Sequence, residues 1–128
     1  MEIADPVQRA AAKAAGHRIV TRPSSAHVRV EHEGQVLAES DRAIELHEGK
    51  LPVRYYLPRE DVRMDLLEPS DTTSHCPFKG DATYFSAPGV KDAFWVYDDP
   101  SEAAAQPVDG LLAPSTGRVE VTVDGEPA

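Results

Sequence analysis

The chain has 128 residues, 41% hydrophobic and 27% charged, ordinary usage for one globular domain of roughly 100–150 residues. Thirteen basic against 22 acidic residues leave a net charge of −9, a field that repels DNA, RNA and anionic membrane surfaces alike. A single cysteine excludes an intramolecular disulfide, and no signal-peptide pattern or apolar run of roughly 20 residues is present, so a cytoplasmic location is expected.

Asp5, Pro6 and Gln8 give an N-cap, a first-turn proline and a capping-box spacing. With the alanine-rich run that follows and Gly16 as a stop, they predict a helical extension over residues 1–16. Its apolar face is only Val7 and alanines, too little to bury much, so it is expected at the surface or against another subunit.

From His17 the period changes to two, and the single β domain is expected over 17–123. Arg18–Thr21 reads as a strand, then His27–His32 with Val28 and Val30 inward. Glu33-Gly34 turns this run into Gln35–Ala38, a hairpin signal. Glu39-Ser40-Asp41 is a polar break that would either turn the chain or offer a carboxylate to a divalent metal. Ala43–His47 alternates with Ile44 and Leu46 inward, and Glu48 to Pro52 is loop.

Val53–Leu57 is an aromatic strand closed by Pro58. Arg59-Glu60-Asp61 predicts a tight turn into a further alternating strand, Val62–Leu67. Ala82–Phe85 and Ala93–Tyr97 are strand-like, Asp99 to Ala105 predicts a brief helical turn, and residues 108–116 read as loop. Arg118–Val123 is a last strand, with a frayed tail over 124–128. About eight short, mostly antiparallel strands make a mainly β domain.

Chemically able side chains concentrate in the SHCPFKGDATY segment, residues 74–84, and in the aromatic strand before it. Cys76 is a candidate catalytic nucleophile with His75 as base or Lys79 as neighbouring cation. Yet adjacent residues of an extended chain point to opposite sides, and a lone cysteine also suits a buried apolar position. The histidines His27, His32, His47 and His75 lack the spacing of a zinc site, so no metal ligand is assigned.

Arg54, Arg59 and Lys79, flanked by Tyr55, Tyr56, Phe78 and Tyr84, would suit a small anion, with Tyr56, Tyr84 and Trp95 lining the pocket. The alternative is that these cations pair with Glu60, Asp61, Asp65 and Asp81 to hold loops. Gly80 after Lys79 lacks the order of a phosphate-binding loop and is expected at positive φ.

Arg54 to Val62, Ser74 to Phe85, and Trp95-Val96-Tyr97 with Pro100 together resemble the bacterial domain-of-unknown-function-427 family over about His17 to Val123. That resemblance implies a compact folded sheet of the β-tent kind, and its family-level naming suggests nucleotidyl transfer. Many β-tent relatives hold zinc through paired CxxC motifs. This chain has one cysteine and no CxxC, so no structural zinc is expected, and magnesium is expected only with a nucleotide-dependent activity.

Two readings follow. In one, a pocket of Arg54, Tyr56, Arg59, Lys79, Tyr84 and Trp95 binds a small anionic or nucleotide-like ligand, with His75 or Cys76 as the reactive group. In the other, the segment is structural and the domain is a non-catalytic self-association module, a homo-oligomer.

Overall fold

The computed structural model describes residues 19–76, 79–100 and 103–128. The expected helix over 5–16 lies outside the described residues, as do Pro77-Phe78 and Ser101-Glu102. The described residues form eleven strands in three antiparallel sheets with three short 3₁₀ segments, which gives the expected mainly β fold.

The first sheet orders β1 (Ile19–Pro23), β4 (Ile44–Glu48) and β5 (Arg54–Tyr56) as β1-β4-β5. The second joins β2 (Val28–His32), β3 (Gln35–Ser40), β10 (Glu120–Val123) and β11 (Glu126–Pro127) in the order β11-β10-β2-β3. The third is a meander of β6 (Glu68–Cys76), β7 (Gly80–Ala87), β8 (Val90–Tyr97) and β9 (Leu112–Pro114).

Alternation decides which face each strand buries. Val28 and Val30 on β2 point inward with Val121 opposite Val30, and they meet Phe94 and Val96 of the third sheet in the larger core. The β2–β3 hairpin turns through Glu33 and Gly34 with φ of 49° and 83°, the left-handed pair a tight two-residue turn requires. A smaller core of Leu46, Tyr56, Ala82, Tyr97, Val108 and Ala113 lies between the first and third sheets. Those two sheets are fastened at Leu57 and Leu112, whose backbones exchange hydrogen bonds of 2.7 and 2.9 Å. The fastening sets β5 against β8 and β9.

Five elements differ from the sequence reading. Val62–Leu67 is not a strand: Val62 alone bridges Ala38, and Met64–Leu66 form a 3₁₀ turn. Val62 and Leu67 are buried, while Met64 and Leu66 pack partly exposed against the core, so a short alternating run is satisfied by a turn as well as by a strand. The strand lies instead at β6, whose sequence EPSDTTSHC hides it because an edge strand with one wet face needs few apolar residues. Pro69 is tolerated there because an edge strand has a free N–H side.

Residues 112–114, expected as loop, form β9, held by the Leu57 fastening and by pairing with β8. The tail folds back as β11 through Asp124 and Gly125, with φ of 51° and 84°. The helical turn, described over Ala103–Val108, ends later than the sequence suggests and buries Ala105 and Val108.

Candidate functional site

One cleft collects most of the side chains the sequence singles out. It encloses about 240 Å³ between the first and third sheets, above the smaller core. The alternation that fills the core also builds the cleft. On β8, Phe94 and Val96 face the larger core, so Trp95 and Tyr97 face the other way. On β7, Tyr84 pairs with Trp95 and Ala82 with Tyr97, while Phe85 turns to the larger core. Opposite them, β5 contributes Arg54 and Tyr56, two residues apart and so on one face.

Inward-facing Ile44 and Leu46 of β4 are followed two residues on by Glu48. The period that buries them carries the Glu48 carboxylate under the cleft, only 7% exposed. Lys79, 8% exposed, precedes Gly80 at φ 95°, and this turn directs the lysine back across β7 to an ion pair with Glu48. Its ammonium also lies 5.5 Å from the Tyr97 ring centre. Leu51 and Pro52, in the β4–β5 loop, form the outer wall.

The aromatic wall is interlocked. Tyr56 and Trp95 meet edge to face at 6.2 Å and 87°, and the Trp95 indole N–H donates to the Tyr56 hydroxyl at 3.1 Å. Burial pushes the Tyr56 and Tyr97 phenols well above their ordinary value, so both stay protonated donors. The Arg54 guanidinium lies 5.7 Å from the Trp95 ring centre and gives one bond to Thr116 Oγ1 at 3.3 Å. No carboxylate lies within ion-pair distance of Arg54 among the described residues.

Arg54, Tyr56, Lys79, Tyr84 and Trp95 are therefore brought together, and Arg59, His75 and Cys76 are not. Arg59 stacks 5.7 Å from Phe85, which faces the larger core, so it sits on the far side of β7. His75 pairs across the strands with Asp81, its Nδ1 2.8 Å from that carboxylate, with 55% of its side chain exposed. Cys76 is half-buried and packs against the smaller core. The two neighbours thus point to opposite faces of β6, the outcome expected for an extended chain.

Of the proposed carboxylate partners, Asp81 takes His75, Asp65 takes Arg63 and Asp61 takes Arg42, while Lys79 takes Glu48. Glu48, Leu51, Pro52 and Tyr97 are the lining residues that the sequence reading missed. The period of two through Ile44 and Leu46 was the available signal for Glu48.

Glu39 and Asp41, considered for a metal, instead hold the two ring nitrogens of His27 at 2.8 and 2.6 Å. Among the described residues no group of three or more His, Cys, Asp or Glu is arranged to hold a metal ion, and no helix is long and apolar enough to cross a membrane. A second cleft of about 540 Å³ lies between Asp65-Leu66, Glu68 and the β7–β8 turn at Ser86–Gly89, without a cation or an aromatic ring in its wall.

No curated protein matches the chain. A family model does, across residues 20–125, from the start of β1 to the turn before β11. The chain belongs to the family described as a domain of unknown function (DUF427).

Proposed function

We propose that the cleft between the first and third sheets binds a small anionic ligand. One observation carries the reading: Arg54 stands without a carboxylate partner among the described residues, at the mouth of a concave site walled by Tyr84 and Trp95. A guanidinium offers paired N–H donors that match a carboxylate or phosphate edge, and stacking on Trp95 holds its plane. Lys79 contributes less than the sequence suggests, because Glu48 already engages it. The nucleotidyl transfer implied by the family resemblance is not needed by this reading, since neither His75 nor Cys76 lines the cleft.

Thermal unfolding against a panel of carboxylates, sugar phosphates and nucleotides, with and without Mg²⁺, tests the proposal. A ligand at a hundred times its Kd stabilises by about 2.7 kcal/mol. The shift should vanish in Arg54→Gln, whose own stability should lie within about 1 kcal/mol of the parent because only an exposed cation–π contact and one exposed hydrogen bond to Thr116 are lost. Lys79→Ala is the poorer probe, since it also breaks a buried ion pair.

Self-association is a second reading, favoured by Leu51 at 59% and Val53 at 36% exposure on the loop beside the cleft. Sedimentation equilibrium decides it. A dimer that Leu51→Asp dissociates supports the module, and a monomer at all concentrations refutes it.

A further inference from the structure

The cleft is narrower in its chemistry than a general anion site, and three independent features limit what fits. Its volume, about 240 Å³, is below the roughly 300–1,000 Å³ of sites that enclose drug-sized ligands. One ring with its acid group fits within it, whereas a nucleoside with a phosphate chain extends beyond it. The charges set the second limit. Among the described lining residues Arg54 and Lys79 are opposed by Glu48, which leaves one positive charge, and that charge sits on Arg54 at the rim. A monoanion is neutralised there. A di- or triphosphate brings more negative charge than one guanidinium neutralises.

The third limit is the wall. Trp95 and Tyr84 are cross-strand neighbours, and Tyr56 stands edge-on to Trp95, so the enclosed space is bounded by ring faces and edges. Such a wall favours a planar partner over a puckered one. Tyr56 adds direction: its oxygen accepts from the indole, a group that only donates, so the phenol hydrogen is left to donate to a ligand atom.

We infer that the ligand is a planar aromatic or heteroaromatic monocarboxylate, its acid on Arg54 and its ring among Tyr56, Tyr84 and Trp95. The inference rests on the anion-site reading above and narrows it to one substrate class against nucleotides and phosphate esters.

Trp95 is the only tryptophan in the chain, so its fluorescence reports on the cleft alone. Titrations of the full chain with benzoate, benzamide, cyclohexanecarboxylate, phenyl phosphate and ATP, monitored by that emission and by thermal unfolding, form the test. Benzoate should perturb the emission and raise Tm. Benzamide, and benzoate with Arg54→Gln, should bind roughly ten- to a hundredfold more weakly, the loss of a charge-assisted pair. Cyclohexanecarboxylate should be weaker than benzoate through lost ring stacking.

Tighter binding of ATP or phenyl phosphate than of benzoate, abolished in Arg54→Gln, would overturn the monocarboxylate inference and leave the anion site standing. Silence from all five probes would overturn both. Binding unchanged in Arg54→Gln would remove Arg54 from recognition and refute the site as described.

Discussion

Replacing Lys79 by Met tests the foundation of the cleft, because it removes the ammonium from an ion pair in which 7% of Glu48 reaches solvent. Breaking a buried ion pair from one side costs about 3–5 kcal/mol. Unfolding entropy of about 2.1 cal/mol/K per residue gives about 0.27 kcal/mol/K for 128 residues, so the loss corresponds to a Tm drop of roughly 11–19 °C. Glu48→Leu should cost a similar amount by stranding the ammonium against Tyr97.

The double variant Glu48→Leu, Lys79→Met should instead lie within about 2 kcal/mol of the parent, since apolar replacements of both partners remove the desolvation cost together. Urea unfolding at 15 °C on all four proteins gives the coupling energy directly. Single variants that each lose less than about 1 kcal/mol, with an additive double, would show a solvent-screened pair and refute the buried-pair account.

Tyr56→Phe leaves the Trp95 indole N–H without its acceptor and should cost about 1–3 kcal/mol in urea unfolding, with a change in Trp95 emission. The Tyr56 and Tyr97 phenols should not ionise before the protein unfolds, so an alkaline titration followed at 295 nm should show their absorbance appearing only with the unfolding transition. Asp41, and then Glu39, hold the His27 imidazole above its ordinary value of about 6.5. Because the folded value is the higher one, the stabilisation is full below about pH 6.5 and is lost as pH rises through the folded value. A nuclear magnetic resonance titration should give a raised His27 midpoint that falls in Asp41→Asn.

How far the sequence carried depended on where each side chain's partner lies in the chain. Period-two runs at β2, β4, β5 and β8 declared themselves because burial on one face writes the alternation into the residues. The Glu33-Gly34 turn and Gly80 were legible because positive φ narrows the choice of residue. Val62–Leu67 misled because six alternating residues suit both a strand and a 3₁₀ turn against a core. At β6 the pattern was missing, since a wet edge strand does not need it.

The site followed the same rule. Arg54 and Tyr56 share a face by spacing alone, and Tyr84 and Trp95 were visible as strand aromatics. That Lys79 would meet Glu48, 31 positions earlier, depends on the approach of the first sheet to the third, which no local pattern encodes. Arg59 was grouped with Arg54 by proximity in sequence, whereas Phe85 draws it to the opposite face.

The most direct measurement is a two-dimensional ¹H–¹⁵N spectrum of the full chain, titrated with benzoate and with ATP. The single tryptophan gives one indole N–H resonance, and that group is the one bonded to the Tyr56 hydroxyl. Benzoate should move it together with the amides of Glu48, Arg54 and Tyr84, and leave Glu68 and Gly89, at the second cleft, unmoved. An indole resonance indifferent to both compounds, or shifts confined to Glu68 and Gly89, would contradict the assignment of the ligand site to the Arg54–Trp95 cleft.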